Sequence, residues 1–306
     1  MTMEKEAAPA AGDPEVQEPR RLAILGPGVL GSALAAWAAR CGLEVRLAGR
    51  DAAQAGKALD RIRRRLERVR GRKDWPEDAV EAASGRITAP SGLEEALSGA
   101  DCFLEALPED EGLKKEAWSR VSGLADPGTL LLTGTSSLPL STLQSCLAGH
   151  RGLIGFHLFL PLERMRIVEL VTTPGCPELS AARAEALARR LERRVARVGD
   201  RPGFAASRMA LAQGLEAMRI FESGLVSPED LDALMVHGYG HPVGPLELSD
   251  RIGLDLRLRI AEGIFEATGE EAFRPPPCLR ELVARGHLGR KSGRGFLDWT
   301  REGDPR

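Results

Sequence analysis

The sequence predicts an α/β fold: an N-terminal doubly wound, mainly parallel sheet followed by a smaller all-helical C-terminal domain. Three observations carry this expectation. A short apolar run, Leu22-Ala23-Ile24-Leu25, leads directly into Gly26-Pro27-Gly28 and a helix of small residues. Strand and helix signals then alternate to about residue 200, which implies a parallel sheet with helices on its faces. After Gly203 the strand signals stop, and helical segments separated by Gly and Pro take over.

Residues 1–19 are rich in Ala, Pro and Glu and poor in large apolar residues, and read as a disordered leader. Residues 20–200 are expected to form a dinucleotide-binding domain. A strand at 22–25, a helix at 32–40 ended by Gly42, and a strand at 44–48 make one parallel unit of about thirty residues. A long charged helix follows over 52–70. Further strands are expected at 86–89, 101–107, 129–133, 153–157 and 167–171, with helices between several of them. Residues 180–194 are helical in composition, and 194–198 can close the sheet. Residues 201–306 are expected to form a helical substrate and dimerisation domain, with helices at 205–223, 228–235, 245–252, 255–268 and 279–285.

The chain has 306 residues, 43% of them hydrophobic and 28% charged, so it can bury a core and need not be disordered. A net charge of -2 argues against a general nucleic-acid binder. No apolar stretch reaches the length of a membrane span, and Leu22–Leu25 is too short for a signal-peptide core. Cys41, Cys102, Cys146, Cys176 and Cys278 are odd in number and widely spaced. That pattern fits a reduced, cytoplasmic protein with neither a disulfide framework nor a zinc site. His237 and His241 are separated by helix-breaking glycines and read as turn residues rather than metal ligands. His150 and His287 read as surface residues.

Gly26-x-Gly28-x-x-Gly31 between a strand and a helix fits the Rossmann-type dinucleotide turn, the alternative being a glycine-rich turn with no ligand. Gly26 permits the tight turn, Gly28 lets a pyrophosphate approach the backbone, and Gly31 lets the helix pack closely. Val29 and Leu30 lie at the helix N-terminus, whose N–H groups and partial positive charge suit phosphate. The end of the second strand departs from the usual pattern. An acidic residue that would bind a ribose 2′-hydroxyl is replaced by Gly49, followed by Arg50 and Asp51. Arg50 can pair with a 2′-phosphate, which would favour NADP over NAD. Equally, Arg50 can point to solvent while Asp51 caps the next helix. The residues leave both open.

His157 sits at a strand end, where open α/β sheets place ligands. Glu169, twelve residues later, lies inside the apolar run Ile167-Val168-Glu169-Leu170-Val171, where a carboxylate needs a partner. A Glu bonded to one imidazole nitrogen fixes the tautomer, leaving the other nitrogen to exchange a proton with an alcohol. A purely structural His–Glu bond satisfies the same pattern.

Several motifs, in order, now resemble one family. They are GPGVLG at 26–31, LEALPEDEGLKKEAW at 104–118, TGTSSLPLSTL at 133–143, GFHLFLPLERMRIVELV at 155–171, RPGFAASRM at 201–209, GYGHPVGPLELSDRIGLD at 238–255 and LVARGHLGRKSGRGFLDW at 282–299. Together they resemble the L-3-hydroxyacyl-CoA dehydrogenases, including 3-hydroxybutyryl-CoA dehydrogenases, over about residues 21–299. The resemblance implies an NAD(P)-dependent oxidoreductase that interconverts 3-hydroxyacyl and 3-ketoacyl thioesters. It implies His157 as the catalytic histidine, Glu169 as its partner, and Ser136 as a contact to both substrate hydroxyl and cofactor. It also implies cofactor contacts at Glu109, Lys114 and Lys291, and a homodimer built through the helical domain.

The chain departs from the family pattern at three polar positions. Leu160 and Ser207 stand where the family usually has Asn, and Gly134 replaces the Asn of the usual Asn-Thr-Ser-Ser run. Leu offers neither donor nor acceptor, and Ser reaches less far than Asn. These changes imply an altered substrate or weakened chemistry. They keep two other readings in view: a non-catalytic acyl-CoA or nucleotide-binding protein, and a dehydrogenase of free hydroxy acids. The basic run over 61–73 lies where the family binds the CoA nucleotide. Its charges suit CoA phosphates or an acyl carrier protein, or form a solvated helix face with charge pairs along the helix.

Overall fold

The computed structural model describes residues 18–149 and 152–300. Most of the expected leader and His150 lie outside them. The chain divides into two compact units between Asp200 and Arg201.

In the first unit, β1 (Arg21–Leu25) runs into α1 (Val29–Arg40), and β2 (Glu44–Ala48) into α2 (Ala52–Val69). Next come α3 (Glu77–Arg86), β3 (Ile87–Thr88), α4 (Leu93–Leu97), β4 (Cys102–Glu105), α5 (Glu111–Leu124), β5 (Leu130–Thr133) and α6 (Leu140–Gln144). The unit ends with β6 (Ile154–Leu158), β7 (Ile167–Thr172), α7 (Glu178–Arg190) and β8 (Arg194–Gly199). Short polar side chains start two of the long helices. Asp51 Oδ1 accepts from Gln54 N at 2.7 Å, and Asp110 Oδ1 accepts from Leu113 N at 2.8 Å.

The eight strands form one sheet in the order β3-β2-β1-β4-β5-β6-β7-β8. The chain winds outward in both directions from β1, so the switch point falls between β1 and β4, where ligands bind in open α/β sheets. β1 to β6 are mutually parallel, whereas β7 pairs with β6 antiparallel and β8 follows β7. The reversal has a simple cause: the link between β6 and β7 is too short for the crossover that a parallel pair requires. Apolar residues of alternating direction fill both faces, with Ile24, Leu104 and Leu132 on one and Ala23, Phe103 and Leu131 on the other.

Trp37 of α1 is a fixed point of the first unit. Its Nε1 donates to Leu191 O at 2.9 Å, and the guanidinium carbons of Arg40, Arg166 and Arg193 lie 4.5, 4.7 and 4.6 Å from the ring centre. Arg193 is buried and donates through Nη1 to Leu162 O and Met165 O, which ties down the loop after β6.

The second unit holds α8 (Ala206–Glu222), α9 (Pro228–Ala233), α10 (Pro245–Ile252), α11 (Leu254–Thr268) and α12 (Pro277–Ala284). The helix expected over 228–235 is interrupted: α9 gives way to a π-helical turn, Leu234–Gly238, that carries His237. Two buried carboxylates organise this unit. Asp232 accepts from Leu246 N and Glu247 N at the start of α10. Asp250 accepts from Phe296 N, Leu297 N and Trp299 Nε1, and so fastens the C-terminal segment. Arg257 of α11 differs from both. It is 5% exposed, and its Nε and Nη2 have no hydrogen-bond partner among the described residues. Burial pushes its pKa down to about 10. No helix among the described residues is long and apolar enough to cross a membrane.

Candidate active site

The glycine turn is built as a cradle. Gly26 has φ +111°, and a Cβ there would lie 2.5 Å from Ala106 O, so β4's exit presses against the turn. A Cβ on Gly31 would lie 2.0 Å from Gly26 O. A Cβ on Gly28, by contrast, would meet nothing within 4 Å, so this backbone faces open space. No side chain caps α1, and Val29 is 77% exposed, which leaves the first helical N–H groups available to an anion. This combination fits the pyrophosphate of a dinucleotide.

At the end of β2, Asp51 caps α2 and Arg50 extends to solvent, its side chain 84% exposed and 3.6 Å from Asp51. Gln54 folds back, its Oε1 accepting from Arg50 N at 2.7 Å. A Cβ on Gly49 would sit 2.9 Å from that oxygen, so the amide side chain occupies the space next to the missing carboxylate.

Past β4 lies a compact ionic network. Glu105, fully buried, accepts on Oε1 from Lys114 Nζ (2.7 Å) and Leu107 N (2.6 Å), and on Oε2 from Thr133 Oγ1 (2.7 Å). Lys114, 1% exposed, also donates to Leu107 O and lies 3.4 Å from Glu109 Oε2. Glu109 Oε1 in turn gathers Thr135 Oγ1, Ser136 N, Ser137 N and Ser137 Oγ at 2.7–2.9 Å, with Ser136 Oγ at 3.4 Å. Burial would raise the Glu109 carboxyl. The Lys114 charge and the turn's hydroxyl and amide donors outweigh it and hold the carboxyl below its ordinary value. Sequence reading singled out Glu109, Lys114 and Ser136, and the structure brings them together. It missed Glu105 and Thr133, although a glutamate in an apolar strand was the available signal.

His157 and Glu169 are directly paired residues across β6 and β7, with Nδ1 2.6 Å from Oε2. Both are buried, at 8% and 3% exposure. His157 stands near the carboxyl end of β6, the same edge of the sheet as the glycine turn. Leu160, just beyond, is 40% exposed. At Gly134 a Cβ would fall 2.8 Å from Leu30 Cδ2, so Leu30 fills the place of a larger side chain. In the second unit, Ser207 lies in the first turn of α8, and Lys291 Nζ donates to Asp255 Oδ1 at 2.5 Å.

Comparison with known proteins gives the family. The family model for the 3-hydroxyacyl-CoA dehydrogenase NAD binding domain matches residues 21–201, and that for the C-terminal domain matches residues 203–299. The chain belongs to the 3-hydroxyacyl-CoA dehydrogenase family. It is 35% identical over 284 residues to a probable 3-hydroxybutyryl-CoA dehydrogenase of Bacillus subtilis, covering 92% of this chain and 98% of the relative. It is 36% identical over 282 residues to the 3-hydroxybutyryl-CoA dehydrogenase of Mycobacterium tuberculosis, with the same coverage. Among solved structures, the (S)-3-hydroxybutyryl-CoA dehydrogenase of Ralstonia eutropha superposes with a TM-score of 0.88 at 31% identity. That match covers 93% of this chain and all of the other. As a member of this family the chain is an NAD-dependent oxidoreductase.

Between α1 and α2 the family member has a cavity of about 380 Å³. Its wall is mostly apolar, with Ile62, Leu66, Val69 and Trp75. Arg61 and Arg65, one helical turn apart, also line it, as do Gly28 and Val29 of the glycine turn, and Arg65 lies 3.6 Å from Glu163.

Proposed function

We propose that the chain interconverts a 3-hydroxyacyl thioester and the corresponding 3-ketoacyl thioester. The buried His157–Glu169 pair, at the sheet edge that carries the glycine turn, is the observation behind this reading. A bound nicotinamide supplies the hydride donor or acceptor. Glu169 holds the Nδ1–H of His157, which fixes the tautomer and leaves Nε2 to take the 3-hydroxyl proton in oxidation and return it in reduction. Ser136, on the turn that Glu109 organises, holds the substrate oxygen. Ser207 and Lys291, both in the helical unit, are that unit's own candidates for contact with substrate or cofactor.

Arg61 and Arg65 beside an apolar cavity favour a thioester whose carrier has phosphates, either CoA or the phosphopantetheine of an acyl carrier protein. Exposed Arg50 and the missing carboxylate at Gly49 remove the usual barrier to a 2′-phosphate, so NADPH serves beside NADH. Exposed Met209, Leu234 and Tyr239 of the helical unit give a homodimer apolar surface to cover. Five free cysteines suit the cytoplasm.

The test is acetoacetyl-CoA reduction followed by nicotinamide absorbance, with NADH and NADPH side by side. Turnover with acetoacetyl-CoA, and none with free acetoacetate, is expected. Tight cofactor binding without turnover of any CoA or carrier-bound substrate overturns this reading in favour of a binding protein. Equal rates with free acids point to a free-acid dehydrogenase.

A further inference from the structure

We infer that Glu105 is a positioning residue for the Ser136 turn, holding Lys114 back from Glu109 so that Glu109 can gather residues 135–137. The inference rests on the dehydrogenase reading above, in which Ser136 holds the reacting oxygen.

Lys114 has two carboxylates to choose between, and its distances to them are unequal. Its ammonium is 2.7 Å from Glu105 Oε1 and 3.4 Å from Glu109 Oε2. The closer bond is also the more deeply buried one, where charge-assisted bonds are strongest. Glu109 therefore feels the lysine charge while the turn's donors keep its Oε1. Its Oε1 is left to accept from the turn, two of those bonds being to the backbone N–H groups of Ser136 and Ser137.

A second route ties Glu105 to the same turn. Thr133 and Glu105 are paired residues on neighbouring parallel strands, and the Thr133 hydroxyl donates to Glu105 Oε2. That commits the Thr133 oxygen to act as acceptor, and it receives Thr135 N at 3.2 Å. One buried carboxylate thus sets the turn from both ends. A carboxylate with no exposure is tolerated only because each of its oxygens is bonded. An apolar residue would pack there at less cost but could not divide the lysine charge.

Glu105→Gln removes the stronger claim on Lys114, which then closes on Glu109 and draws it off the turn. The measurement is amide hydrogen exchange over 134–138 in the whole protein without cofactor, together with kcat and KM for acetoacetyl-CoA. Exchange at 134–138 is expected to rise about tenfold or more, and kcat to fall about 10–100-fold with KM little changed. Thr133→Val, which keeps shape and leaves Lys114 paired with Glu105 although Glu105 Oε2 loses its hydrogen bond, should act in the same direction more weakly, and serves if Glu105→Gln fails to fold. A purely structural role would instead speed exchange throughout β4 and β5 and leave kcat of the folded fraction intact. That result, or wild-type exchange at 134–138 in both variants, or a loosened turn with unchanged kcat, overturns the inference. If the unaltered protein reduces no ketoacyl thioester, the dehydrogenase reading falls. The exchange data then still decide whether Glu105 holds the turn.

Discussion

Glu169 stands opposite His157 in the β6–β7 pairing, with its Oε2 2.6 Å from Nδ1 and both side chains buried. A carboxylate so placed restrains the ring and compensates the charge the ring gains when it takes a proton. His157→Gln is expected to lower kcat about 10²–10⁴-fold. Glu169→Gln, which keeps a hydrogen-bonding oxygen but no charge, should cost less. Steady-state kinetics together with circular dichroism separate lost chemistry from lost fold.

Arg50 bears on cofactor choice. Its side chain is exposed, and its ionic neighbour is Asp51 at 3.6 Å. Arg50→Ala should raise KM for NADPH about tenfold, one charge-assisted contact being worth about 1.5–3 kcal/mol at most, and leave NADH unchanged. Equal effects on both cofactors would remove Arg50 from that role.

Gly134 and Leu30 occupy one another's space. Gly134→Asn restores the residue usual in the family but brings a Cβ within 2.8 Å of Leu30 Cδ2. The variant should lose about 1–3 kcal/mol of stability. Leu30→Ala in the same chain should recover part of that loss, since only then is there room. Denaturant titration of the four chains measures the coupling.

Glu109 supplies a pH test. Its folded-state pKa is lowered from 4.5, so its stabilising effect is complete above the ordinary glutamate pKa and disappears as pH falls through the lowered value. The gap in Tm between wild type and Glu109→Gln should therefore be constant near neutrality and narrow only below about pH 4.5. A gap that widens on acidification contradicts this.

Among the described residues, Arg257 is a buried cation with two nitrogens unbonded and no carboxylate acting on it. Arg257→Met should stabilise the protein by about 1–4 kcal/mol, as replacing a buried charge with an apolar side chain often does. Thermal unfolding reads the sign directly.

Much of the first unit was legible because its signals are local. The Gly26–Gly31 spacing, the capping Asp51 and the charged residue at 169 within an apolar run can each be read from a short window. The direction of β7 was also within reach, since the short link after β6 excludes a parallel crossover. The Glu105 network was not, because it joins residues 105, 114 and 133, and pairing of that kind depends on strand order. Short helices such as α4 and α6 carry too few residues to express a period. Arg257 is one of several charged residues in the segment 255–268, and nothing in that window sets it apart. Only packing against Gly214, whose absent Cβ would lie 3.3 Å from Nη2, turns it inward.

The chain reversal at β7 has a consequence for biogenesis. Because His157 and Glu169 meet across two strands adjacent in sequence, their pairing is encoded by one hairpin that a ribosome completes before any of α8 to α12 is translated. Glu109, which gathers the Ser136 turn, likewise precedes the helical unit in the chain. Vectorial synthesis thus delivers the His157–Glu169 pair first and the helical unit second.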